Sequence, residues 1–144
     1  MDGMRIGRWA VVAGLLISAP GCAASAGPQP GSVPAELGTE FTLAVGDTGL
    51  VDHDRVAVLF REVAEDSRCP AGADCVWEGD ATVVTELTVD GTRSPAELHS
   101  SGRFATEVTS GGYRVALRAV HPEPPRSGQL PPSAYRVDLL VTRA

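Results

Sequence analysis

The chain has 144 residues and a formal net charge of −6, with no lysine, no asparagine and arginine as its only strong base. That acidity argues against nucleic acid and anionic lipid surfaces as partners. An arginine-only basic set reflects a GC-rich coding bias, so arginine tracks carry little functional weight.

The first residues read MDGMRIGRWAVVAGLLISAPGC. Arg5 and Arg8 form a basic start, and Trp9 to Ala19 is an apolar run. The run is too short to cross about 30 Å of hydrocarbon as a helix. A short apolar run behind basic residues, closing on small residues, predicts a signal peptide over residues 1–21. Ala19-Pro20-Gly21-Cys22 resembles the lipobox of bacterial lipoproteins. The resemblance implies lipid on Cys22 and an extracytoplasmic protein anchored to a bacterial membrane through that lipid. Ala19 departs from the usual leucine, and Pro20 is unusual there. A competing cleavage after Ala24-Ser25-Ala26 would instead release a soluble secreted protein beginning at Gly27. The position of Cys22 relative to the apolar run favours the anchor. From Cys22 onward ten arginines face seventeen acidic residues, a net charge of −7.

Residues 22–37 continue as AASAGPQPGSVPAEL after the cysteine. Small residues, proline and glycine bury little apolar surface, which predicts a flexible tether. Residues 38–144 then form one domain of ordinary size. Its period is two. In EFTLAVG, Phe41, Leu43 and Val45 share a face; in RVAVLF, Val56, Val58 and Phe60 do. CVWEGDATVVTELTVDG alternates most clearly, with Cys75, Trp77, Ala81, Val83, Leu87 and Val89 inward and Glu78 and Asp80 outward. It ends on an Asp90-Gly91 turn signal, and Gly79 marks a bulge or bend. AELHS and RFATEVTSG are weaker strands. YRVALRAVHP aligns Tyr113, Val115, Leu117 and Ala119, and YRVDLLVTR aligns Tyr135, Val137, Leu139 and Val141. No segment has helical periodicity. About seven or eight short strands predict an all-β fold, a single antiparallel β-sandwich of Ig-like or jelly-roll-like type; an open Greek-key barrel is the alternative. HPEPPRSGQLPP, with five prolines, is a stiff connector before the last strand.

SRCPAGADCVW places Cys69 and Cys75 around a short turn built on Pro70 and Gly72. In an oxidising compartment the expected state is a structural disulfide. A redox pair or a thiolate metal site are the alternatives, and the latter needs more ligands than this pair supplies. Arg68 has both Asp66 and Asp74 as candidate partners, and pairing with either would order the loop.

EDSRCPAGADCVWEGDATV, with GYRVALRAVHPEP and YRVDLLV downstream, resembles a family of small bacterial secreted proteins and lipoproteins. That family carries an E-D-S-R-C-P, x4, C-x-W-x-G-x-A-x-V signature. The resemblance covers most of residues 39–143, with Cys69 to Val83 its specific part. Glu78 stands where alanine is more usual. The resemblance implies an extracytoplasmic β-domain and transfers no functional residue.

Acidic residues gather around the cysteines, with Asp66, Asp74, Glu78 and Asp80 as candidate ligands for calcium or a transition metal. Their spacing matches no known cation loop, and a solvated face is the plainer reading. His53, His99 and His121 are scattered without ligand spacing. Ser100 and Ser101 beside His99 do not make a triad by adjacency, and no nucleophile elbow or phosphate loop occurs. The expected protein is therefore no enzyme and needs no cofactor. It is a monomeric envelope module binding a protein, peptide or glycan; the alternative is a small cation-binding envelope protein.

Overall fold

The computed structural model of the protein describes residues 31–144. The predicted signal, Cys22 and most of the predicted tether lie outside the described residues. Nine strands account for most of the rest: β1 (Ser32–Ala35), β2 (Glu40–Ala44), β3 (Thr48–Val51), β4 (Val56–Asp66), β5 (Ala81–Val89), β6 (Thr92–His99), β7 (Glu107–Ser110), β8 (Tyr113–His121) and β9 (Arg136–Arg143). One 3-10 turn, Pro132–Ala134, precedes β9.

The strands form two sheets, ordered β1-β3-β4-β5-β6 and β2-β9-β8-β7. The protein is thus a β-sandwich, with more strands than the seven or eight expected. Apart from β1, neighbours in the chain are neighbours in a sheet or across a corner, so the fold is a meander doubled over on itself. Within the first sheet, β3, β4, β5 and β6 follow one another in chain order as antiparallel neighbours.

Alternation explains which side chains meet in the middle. Val56, Val58 and Phe60 of β4 are fully buried, as are Val137, Leu139 and Val141 of β9. On β5 the odd positions from Ala81 to Val89 are buried and the even ones half-buried. Thr85 is the polar exception, and its hydroxyl donates to the Ala96 carbonyl at 2.9 Å. Asp90 and Gly91 both take positive φ, 47° and 81°, and join β5 to β6 in the two-residue turn that this dipeptide favours.

Three sequence expectations need correction. Ser32–Ala35 lies in the predicted tether, yet it pairs in parallel with β3. Val33, Ala35 and Leu37 pack against the core, so the chain enters the fold six residues before Gly38. On β8 a bulge between Leu117 and Ala119 shifts the phase, and Val120 is buried in place of Ala119. Finally, β5 begins at Ala81, not at Cys75, because the alternation breaks at Gly79.

All the longer connections gather at one end. Residues 67–80, 100–106 and 122–135 link strand ends that lie on the same side of the sandwich. The opposite end carries the tight turns at Asp90-Gly91 and Gly111-Gly112 and the short link between β3 and β4.

Candidate functional site

The long loop after β4 is built as a continuation of the β4–β5 hairpin. Ser67 N–H donates to the Asp80 carbonyl at 2.7 Å, and Cys69 N–H to the Glu78 carbonyl at 2.9 Å. Gly79 makes this stem possible. It adopts φ +74°, and a Cβ there would collide with the Ser67 carbonyl and stand 2.7 Å from the Arg68 Cα. Beyond the stem, a disulfide joins Cys69 and Cys75, with Cα atoms 6.0 Å apart. Inside the ring, Ala73 N–H closes a turn onto the Pro70 carbonyl at 3.1 Å.

Arg68 ties this hairpin to the other sheet. Its guanidinium donates twice to Asp66, each at 2.8 Å, and once each to the Val120 and Pro122 carbonyls at 2.7 and 2.9 Å. Tyr135 adds its hydroxyl to the same carboxylate at 2.9 Å. Three stretches far apart in the chain therefore meet in one network. Burial pushes the Asp66 carboxyl up, but the bonds from Arg68 and Tyr135 outweigh it and hold the group below its ordinary value. Burial, and then the bond to Asp66, push the Tyr135 hydroxyl up. The ring itself rests on the proline-rich connector, where Arg126 donates to the carbonyls of Ala71 and Gly72.

A second network joins the hairpin to the β6–β7 corner. Asp80 was expected to point outward; it is buried instead. It accepts from His99 Nδ1 at 2.7 Å and from Ser101 N–H at 2.9 Å. Ser101 donates its hydroxyl to Glu78 at 2.7 Å. Ser100 Oγ accepts from Ala81 N–H at 2.8 Å and sits 3.4 Å from Asp80. Both hydroxyls thus lie on carboxylates. A serine nucleophile would need its hydroxyl on the free imidazole nitrogen.

The inward expectation for Cys75 and Trp77 is likewise overturned. Both residues are exposed, Trp77 at 39%. The turn at Gly79 ends the pleat that would have carried them inward. Val76 at the tip is fully exposed, and Phe104 on the neighbouring corner is 51% exposed. These are the exposed large apolar side chains among the described residues. They belong to one end: the Arg103 guanidinium lies 5.3 Å from the Trp77 ring centre, and Phe104 packs 5.0 Å from the His99 ring. A crevice of about 390 Å³ opens between the stapled loop, Ser100 and the end of β8, with Glu78, next in the chain to Trp77, in its wall.

The candidate cation ligands do not converge. Asp66 serves Arg68 and Tyr135, while Asp80 serves His99 and Ser101. Glu78 is held by Ser101, and Asp74 is exposed on the ring. His53 is at the opposite end beside Asp52, and His121 binds Asp138 at 2.7 Å on the outer face of the second sheet. Among the described residues no three His, Cys, Asp or Glu side chains are placed to hold a metal ion. Phe104 and Arg103 were not singled out from the sequence. The one available signal was an aromatic within a serine- and glycine-rich turn, SSGRF. No protein-family model, curated protein or solved structure matches the chain.

Proposed function

We propose that the protein is a non-enzymatic, extracytoplasmic module, tethered to the bacterial membrane by lipid on Cys22, whose stapled end recognises another envelope component. It belongs, on this reading, with the small secreted proteins and lipoproteins that its signature resembles. The observation that carries the proposal is the exposed group Val76, Trp77 and Phe104 on a braced frame. Exposed Trp and Phe side chains at one end lose water favourably on contact, and aromatic side chains with arginine are the commonest energetic anchors of protein interfaces. The disulfide and the Arg68 network hold the loop before any partner arrives, which lowers the entropy lost on binding. Among protein, peptide and glycan, this combination favours a protein or peptide.

Two experiments test the proposal. A palmitate analogue fed to the host should label the wild type and leave Cys22→Ser unlabelled; a mature N-terminus at Gly27 would remove the anchor. A photo-crosslinking amino acid at position 76 should yield discrete adducts in intact envelopes, lost when Trp77→Ser and Phe104→Ser are combined. The same probe at exposed Arg93, near the opposite end, should yield none of them. Identical adducts from both positions would sink the recognition surface.

A further inference from the structure

The crevice beside the apolar tip adds a charge to the site that the tip lacks. Glu78 and Glu123 both line it. Among the described residues neither carboxylate forms a salt bridge. The one arginine in its wall, Arg68, has its guanidinium committed to Asp66 and to two backbone carbonyls. The cations Arg103 and Arg126 of this end, over the Trp77 ring and on the Ala71 and Gly72 carbonyls, do not line the crevice. The crevice wall therefore holds two carboxylates without an ion pair, one of them Glu78, next in the chain to exposed Trp77.

We propose that the stapled end docks a cationic segment of a partner protein. An Arg or Lys side chain enters the crevice between Glu78 and Glu123, and apolar neighbours on the same segment cover Val76, Trp77 and Phe104. Charge complementarity selects this occupant. An acidic partner would bring like charges together at the rim, which opposes docking. An approaching cation is drawn by the field of the whole domain, whose net charge from Cys22 onward is −7. The tip is already shown to accept a guanidinium, since Arg103 lies over the Trp77 ring.

This proposal rests on the stapled end being the recognition surface, and the test separates the two. Random peptides are selected by display on the domain immobilised through its N-terminus. Affinities are then read from the fluorescence of Trp77, since the other tryptophan, Trp9, lies in the predicted signal. Selected peptides should carry Arg or Lys beside aromatic or aliphatic residues. The combined Glu78→Gln and Glu123→Gln variant should bind them about tenfold more weakly, as expected for losing close charge partners. The amide oxygen at position 78 still accepts from Ser101, so an unchanged melting temperature is expected to accompany that loss. Absence of any enriched sequence, enrichment of neutral or acidic peptides, or unchanged affinity in the double variant would overturn the cationic partner. If neutral apolar peptides are enriched and then lost with Trp77→Ser and Phe104→Ser, the recognition surface stands and the cationic partner falls. If neither pair of substitutions matters, both fall. A blue shift of Trp77 on phosphatidylcholine vesicles, without peptide selection, would assign the tip to lipid and also overturn the proposal.

Discussion

Gly79 shows how closely one residue can decide this site. Its backbone sits at φ +74°, and its Cα hydrogen faces the Ser67 carbonyl. Gly79→Ala must either break the stem bonds from Ser67 and Cys69 or push the β4 end away. We expect a loss of about 2–3 kcal/mol, the range for strain at a special backbone position, measurable by urea unfolding. Asp66 is the second decisive residue, because it holds both Arg68 and Tyr135. Its side chain and that of Arg68 are 11% and 12% exposed. Asp66→Asn leaves a largely buried guanidinium without its carboxylate, which costs about 3 kcal/mol at neutral pH. The folded carboxyl titrates below its ordinary 3.8. Its contribution is therefore fully present above that value and disappears as pH falls through the lower folded one. Wild type and Asp66→Asn should differ most above pH 5 or so and converge towards pH 2 in thermal melts. A constant difference across that window would exclude the ionised pair as the cause.

At the level of elements, the β4–β5 hairpin is the part on which the proposed recognition rests, and it is braced three ways. Its stem is hydrogen-bonded, its tip is closed by Cys69–Cys75, and its side is held by Arg68. Replacing both cysteines by serine should remove about 2 kcal/mol, the loop-entropy value for so small a ring. The domain should keep its β circular dichroism and melt lower, while Trp77 fluorescence becomes less polarised. An unchanged melting temperature would mean the ring adds nothing to stability. β1 makes a different contribution. It is short and lies at a sheet edge, yet Val33 and Ala35 pack on the core with Leu37 just beyond it. Deleting residues 32–37 should lower stability by about 2–3 kcal/mol, the scale for losing a few half-buried apolar side chains. Equal stability of the truncated domain would return this segment to the tether.

The whole molecule is polar in its design. One end has tight turns; the other has long connections, exposed apolar side chains and a crevice lined by Glu78 and Glu123. Loops on a rigid sandwich are where recognition is usually placed, because they vary without disturbing the core. The acidic residues near the staple are divided between separate hydrogen-bond networks, so no cage forms without dismantling one of them. Millimolar calcium, or zinc, should therefore leave the melting temperature unchanged within about a degree. A rise of several degrees would signal binding to the native state and restore Asp66, Asp74, Glu78 and Asp80 as ligands.

Much of the architecture was legible in the chain itself. Alternation in β2, β4, β5 and β9 named the core side chains, and Asp90-Gly91 marked its hairpin. Those features are local: the pleat repeats every two residues, and a turn depends on its own backbone angles. Spacing, with the oxidising compartment expected from the signal, likewise predicted the pairing of Cys69 with Cys75. The tertiary structure decided the rest. It made Ser32–Ala35 a strand, because a short edge strand is defined by its neighbour and not by its own pattern. It buried Val120 over Ala119 through a bulge, and turned Trp77 outward and Asp80 inward at Gly79. It gave Arg68 to Asp66 in preference to Asp74, because the Val120 and Pro122 carbonyls wait on that side. Arg103 reached the Trp77 ring only once two distant loops were brought to the same end. No local period encodes such meetings, since they depend on contacts between residues far apart in the chain.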